Sequence, residues 1–361
     1  MIYVLVYLKI LILLSLSITS SSTTSSSSSS SSSSTTSTTT SSSSSSSSSP
    51  LVSFPPVYWI NLDDNIERRR HIENELKSLN VSYHVRVSAL TKTTCNIIML
   101  ERTCRLMSLS DIAILCSHLK ALYTAVTDTN PYAINSKYAL ILEDDVHFKF
   151  LIDFNKLIEM APPGFGMIQL MTSNTKHFES LWNTYKNSGY RNLFTMRGKD
   201  TNIWSAQAIL VNKETIKGYI QNAVTVLSTG QLGFKIIGVQ SLQKELLFNQ
   251  FKPSVYSTCQ FADTFIYSLG HPTYILNTPL MNGADVGLNS SFHNMHVPFH
   301  IRGFASLQEA QEQMSNGIIP LPNFAKIVNS SHRTDHQNYT TLSKEIPLPK
   351  DWSQFTNRFG V

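Results

Sequence analysis

The sequence predicts an α/β domain, a mostly parallel sheet flanked by helices, on three observations. Short apolar runs alternate with stretches of helical periodicity, and each run ends in turn or capping residues. One of the runs empties directly into three adjacent carboxylates.

The elements follow in order. Val57 to Leu62 reads VYWINL, a continuous apolar run of strand length. Asp63, Asp64 and Asn65 then offer capping oxygens. Ile72, Leu76 and Leu79 at i, i+4 and i+7 predict a helix over 66–79. A second strand is expected over 81–87. Ser108 with Asp111 forms a capping-box pattern, and Ile112, Leu115, Leu119 and Leu122 mark the apolar stripe of the helix behind it. Tyr138 to Leu142, YALIL, is the third strand. A helix is expected over 150–160, stopped by Pro162-Pro163-Gly164, and a strand over 167–171. A strand over 205–211, a helix over 213–221 and a short strand over 273–276 complete the pattern. Beyond about Gly303 the periodicity fades, which predicts a loosely packed extension over 301–361.

The start of the chain is of a different kind. Residues 1–19 are apolar apart from Lys9 and a few Ser and Tyr, as expected of a signal peptide or signal anchor, and so of a possible membrane attachment. Residues 20–50 are almost pure Ser and Thr. They have nothing apolar to offset the entropy of ordering, so a disordered stalk suited to O-glycans is expected. Sequons at Asn80, Asn289, Asn329 and Asn338 fit the same secretory route, with the Golgi, the endoplasmic reticulum lumen or the cell exterior as destinations. The folded domain is then 53–300. Cys95, Cys104, Cys116 and Cys259 could form one or two disulfides there, Cys95 with Cys104 being the easiest to close and Cys116 reading as a buried thiol.

The net charge of +5 is scattered, and the only dense basic cluster is Arg68-Arg69-Arg70-His71. A nucleic-acid partner would need a longer basic stripe. Polyphosphate on a small donor suits one short cluster, because a guanidinium fork can donate two parallel hydrogen bonds to phosphate. No Walker A or GxGxxG pattern supports ATP or dinucleotide chemistry. Glu143, Asp144 and Asp145 repel one another unless a cation compensates. They stand at the carboxyl end of a strand, where open α/β sheets bind ligands, and hard cations such as Mn²⁺ or Mg²⁺ take oxygen ligands and bridge to phosphates.

The same residues carry a resemblance. Leu140-Ile141-Leu142-Glu143-Asp144-Asp145-Val146 resembles the LEDDV stretch of glycosyltransferase family 25. Ile60-Asn61-Leu62-Asp63 with Arg68-Arg69 resembles its INLDRRPDRR start, although Asp64 and Asn65 replace two basic residues. Ser110 to His118 is similar to GEIGCFLSH, with Ser117 and His118 kept. Ser205 to Val211 is similar to the GAYLIS strand, and Ala262-Asp263 to the acidic PVD position. The matches keep their order from Val57 to His296.

The resemblance implies a GT-A-like fold, a UDP-sugar donor, a glycan or glycoprotein acceptor, Mn²⁺ and inversion at the anomeric carbon. It implies Asn61, Arg68 and Arg69 as nucleotide contacts, Asp144 and Asp145 as metal ligands, and Glu143 as the group that orients them or reaches the ribose. It implies Asp263 as general base, a residue that could equally cap a short helix, and His293 as a further metal ligand. His118 is expected to pack and bond a backbone carbonyl. A catalytically inactive relative, or a stalked surface protein whose acidic cluster binds Ca²⁺, stand as the other classes.

Overall fold

The computed structural model describes residues 54–101, 107–172, 174–197, 205–237, 262–283 and 297–327. The expected leader and stalk, the sequons at Asn289, Asn329 and Asn338, and Cys104, Cys259 and His293 lie outside the described residues.

A seven-stranded sheet runs in the order β2(His84–Ser88), β1(Val57–Asn61), β4(Tyr138–Glu143), β9(Ala208–Asn212), β7(Met167–Gln169), β12(Thr273–Leu276), β8(Phe194–Met196). Following the pairings outward from β1, five of the seven strands point one way, and only β9 and β8 run against them. The expected mostly parallel sheet is therefore present.

The strands read as unbroken apolar runs because both faces are covered. Val57, Trp59, Leu140 and Leu142 face one core, and Tyr58, Ile60, Ala139 and Ile141 face the other. On the first side pack α1(Ile66–Ser78) through Ile72 and Leu76, and α5(Thr175–Asn187) through Phe178 and Trp182. On the second side pack α2(Leu109–Thr127) and α6(Lys213–Ala223). Each buried Leu or Ile is worth about 2 kcal/mol. An exposed pair such as Lys137–Glu214 is worth less than about 1 kcal/mol, so the cores and not the surface charges set the fold.

The local signals act where the sequence puts them. Asn65 caps α1, its side chain accepting from the Arg68 N–H at 3.2 Å. Ser108 and Asp111 close the capping box of α2.

Three expectations change. Phe150–Ile152 is not helical: it forms β6, paired antiparallel with β14(Ala325–Ile327), and the helix begins only at Phe154, capped by Asp153. Asp153 there stops the strand and starts the helix. Of the extension expected to be loosely packed, the described residues up to Ile327 are packed. A helix over Val297–Ser315 buries Phe304, Leu307, Ala310 and Met314 in the first core. Gln311, fully buried on the same face, broke the apolar pattern, yet its amide donates to the Pro279 carbonyl and to Asn282. Cys116 is not a free thiol paired with nothing: it forms a disulfide with Cys95, with the Cα atoms 6.2 Å apart. The buried face of α2 lies against the 90–95 loop, where Ser117 Oγ accepts from the Leu90 N–H.

Candidate active site

The carboxyl ends of β1 and β4 lie side by side, with Ile60 in register with Glu143. Asn61 closes β1 and is 1% exposed. Its side-chain amide donates to Asp144 Oδ2 at 2.7 Å and to the Asn65 carbonyl at 3.1 Å. Arg68, on the first turn of α1, donates to Asp144 Oδ1 at 3.1 Å and stands 3.4 Å from Asp145 Oδ2. Gln207 Nε2 donates to Asp145 Oδ1 at 3.1 Å. Asn61, Arg68, Asp144 and Asp145 therefore form one connected cluster, as their sequence positions suggested. Arg69 flanks it, donating to Asn61 Oδ1 at 3.4 Å and to the Asp63 carbonyl at 2.9 Å.

Charge in this cluster does not balance. Burial pushes Asp145 up to about 7, and Glu143 and Asp144 push it the same way against Arg68. Burial also raises Asp144. Burial works against the Arg68 cation, but Asp145 and Asp144 outweigh it and hold the guanidinium above its ordinary value. Three carboxylates face one guanidinium, so a divalent cation would complete the charge. Among the described residues no three His, Cys, Asp or Glu side chains already converge on one point. Asp144 accepts from Asn61 and Arg68, and Asp145 from Gln207, and each carboxylate oxygen keeps a lone pair that a cation could use. Glu143, Asp144 and Asp145, adjacent at the end of β4, are the oxygen donors available to such a cation.

His118 is buried on α2, and its Nε2 meets Glu143 Oε1 at 2.9 Å. The expected backbone carbonyl partner is replaced by a side chain of the acidic triplet. Nδ1 has no hydrogen-bond partner among the described residues.

A second group of side chains faces the first. Asp263 is the second residue of α7(Ala262–Ser268), so it is not the N-cap. Its Oδ2 accepts from the Ser205 N–H at 2.8 Å. Burial raises it, Ser205 opposes, and Glu143, near enough to be felt, adds to the rise. Tyr267, one turn on, donates its hydroxyl to the Ser205 carbonyl at 2.8 Å, and the Arg197 guanidinium lies 4.2 Å from its ring centroid.

Sequence reading missed Arg86, Gln207, Gln169 and Arg197. Arg86 sits on β2 and donates to Asn61 Oδ1 at 3.0 Å and to the Asp63 carboxylate. It alternates with Val85 and Val87, a signal that was available. Gln169 ends β7 and Arg197 follows β8, with β12 between the two strands; they are joined at 2.8 Å, and no local pattern announces that.

Residues 54–222 match the model of glycosyltransferase family 25 (LPS biosynthesis protein). No curated protein matches the chain. The similar solved structures include three glycosyltransferases. A galactosyltransferase, LgtC, in complex with donor and acceptor sugar analogs shares 8% identity over 83% of this chain and 99% of its own, with a TM-score of 0.33. A glycosyltransferase involved in the glycosylation of the major capsid of PBCV-1 shares 9% over 61% and 81%, at 0.29. GlyE of Streptococcus pneumoniae TIGR4 shares 10% over 85% and 63%, at 0.30.

Proposed function

We propose, from the match of residues 54–222 to the family 25 glycosyltransferase model, that this chain moves a hexose, galactose first among candidates, from a UDP-sugar to an acceptor hydroxyl on a glycan or glycoprotein. The observation that supports this best is the charge-deficient carboxylate cluster at the β1 and β4 ends, beside the guanidinium of Arg68. A nucleoside diphosphate brings negative charge, so the site accepts it only together with a cation. Mn²⁺ or Mg²⁺, when bound, would neutralise the diphosphate as it leaves. Asp144 and Asp145 would hold that cation, with Glu143 orienting them or reaching the ribose. Asn61 and Arg68 fix Asp144 in place, and His293 is the remaining ligand candidate.

Arg68 and Arg69 bind and orient the phosphates. His118 holds Glu143 from behind. Asp263 takes the proton of the acceptor hydroxyl, because burial keeps its carboxylate more basic than an exposed one. Its Oδ2 is fixed by Ser205, which leaves Oδ1 to meet the hydroxyl. A base on the face opposite the leaving diphosphate gives inversion. In this proposal the domain works in the secretory lumen, tethered or released through residues 1–19.

The test is to offer the purified protein a panel of UDP-sugars with hydroxyl acceptors and read the anomeric proton of the product. Transfer with inverted configuration is expected. Transfer with retained configuration would remove Asp263 as base while leaving the glycosyltransferase reading in place.

A further inference from the structure

Ser205 bonds to both groups of site residues, and it has an unusual backbone. Its φ is +99°, a conformation that costs any residue with a Cβ. It is nonetheless a serine, 8% exposed, and every polar atom it owns is used. Its N–H donates to Asp263 Oδ2 at 2.8 Å. Its carbonyl accepts from Gln169 Nε2 at 3.0 Å and from the Tyr267 hydroxyl at 2.8 Å. Its hydroxyl donates to Gln207 Oε1 at 3.0 Å, and Gln207 Nε2 passes on to Asp145 Oδ1 at 3.1 Å.

Glycine would adopt this φ without cost. It would keep the N–H and the carbonyl, and would lose only the hydroxyl. The serine side chain is thus the part whose presence the backbone does not explain, and it leads to Asp145. The N–H leads to Asp263. We propose that Ser205 is a positioning residue that fixes the distance between the general base Asp263 and the cation-side carboxylate Asp145. Gln169 and Tyr267 clamp its carbonyl so that the peptide cannot rotate. This rests on the glycosyltransferase reading given above, and it adds the element that holds acceptor side and donor side in register. The reaction demands such an element. The proton leaves the acceptor at one group while charge develops on the diphosphate at the other, and small misplacements between them are costly in rate.

Three variants separate this from a merely structural role. Ser205→Gly relieves the backbone and cuts the hydroxyl link. It is expected to melt at or above the wild-type temperature while kcat falls about tenfold or more and acceptor KM stays within about twofold. Ser205→Ala keeps the strained backbone stiff and loses only the link to Gln207. It is expected to raise the Mn²⁺ concentration for half-maximal UDP binding with a smaller change in kcat. Tyr267→Phe removes one clamp on the carbonyl, and is expected to lower kcat with Mn²⁺ dependence unchanged. Ser205→Gly with wild-type kcat and wild-type Mn²⁺ dependence would overturn the proposal, and so would a loss of activity that merely tracks a lower melting temperature. Wild type measured alongside keeps the two levels apart. Transfer by wild type with unaffected variants overturns the positioning role alone, whereas no transfer and no UDP binding by wild type overturns both.

Discussion

In the proposed function, the donor side of the site and the acceptor side are built in opposite ways. On the donor side, Asn61, Arg68, Asp144 and Asp145 come from two adjacent parallel strands and the first turn of one helix, and charge holds them together. On the acceptor side, Gln169, Arg197, Ser205, Asp263 and Tyr267 come from distant segments, and hydrogen bonds to one serine peptide carry the arrangement. A charged cluster binds whatever balances it, so its tolerance to small displacements is high. A clamp of directed hydrogen bonds fixes position but contributes little binding. The difference suits the two tasks proposed for them, holding a polyanion and aiming one proton transfer.

The comparison breaks first at Asp145. Asp145→Asn removes one cation-side donor and should cut turnover by at least about a thousandfold, since a cation that neutralises the leaving phosphates supplies several kcal/mol. The circular dichroism spectrum should stay that of wild type. An Asp145→Asn protein that still turns over at a tenth of the wild-type rate would move the cation elsewhere.

On the other side, Asp263→Asn should lower kcat by about 10² to 10⁴, the range of a lost general base, while UDP binding is untouched. Loss of UDP binding in that variant would merge the two sides into one.

Arg68 tests how charge is shared. Arg68→Ala leaves Asp144 buried beside other carboxylates, and should cost about 3 kcal/mol of stability, read as a denaturant midpoint shift. Arg68→Lys keeps the charge but not the fork and should recover part of it. If alanine and lysine behave alike, geometry rather than charge holds the cluster.

The smallest effect lies away from the site and calibrates the others. Asp128 accepts from the hydroxyls of Tyr58 and Tyr83, each at 2.7 Å. Burial opposes its charge, but the Asn130 N–H and the two hydroxyls outweigh that and hold the carboxylate below its ordinary value. A depressed folded pKa contributes stability that is present above the unfolded value and lost as pH falls through the folded one. Asp128→Ala should therefore cost about 1 kcal/mol at neutral pH, and the gap to wild type should close as pH falls below about 4.

The same contrast decides how much the sequence could say. The donor side is written locally: VYWINL, the Asn65 cap, Arg68 one turn on and YALIL before the acids each act through near neighbours. The sheet was legible for the same reason, because strands buried on both faces read as apolar runs. On the proposed acceptor side the sequence singles out Asp263 alone, by resemblance. Ser205 reads as an ordinary strand residue, and nothing in its neighbours signals a positive φ or a carbonyl shared by Gln169 and Tyr267. The helix over Val297–Ser315 was missed because Gln311, a polar residue, occupies a core position that only distant partners satisfy.

The central claim is that the acids at the end of β4 bind a nucleoside diphosphate through a divalent cation. Calorimetric titration of UDP into the purified protein, with Mn²⁺ and then with EDTA, tests it most directly. The account predicts saturable binding with Mn²⁺, at least about tenfold weaker in EDTA, a difference of about 1.4 kcal/mol. Equal affinity under both conditions, or no binding in either, would contradict it.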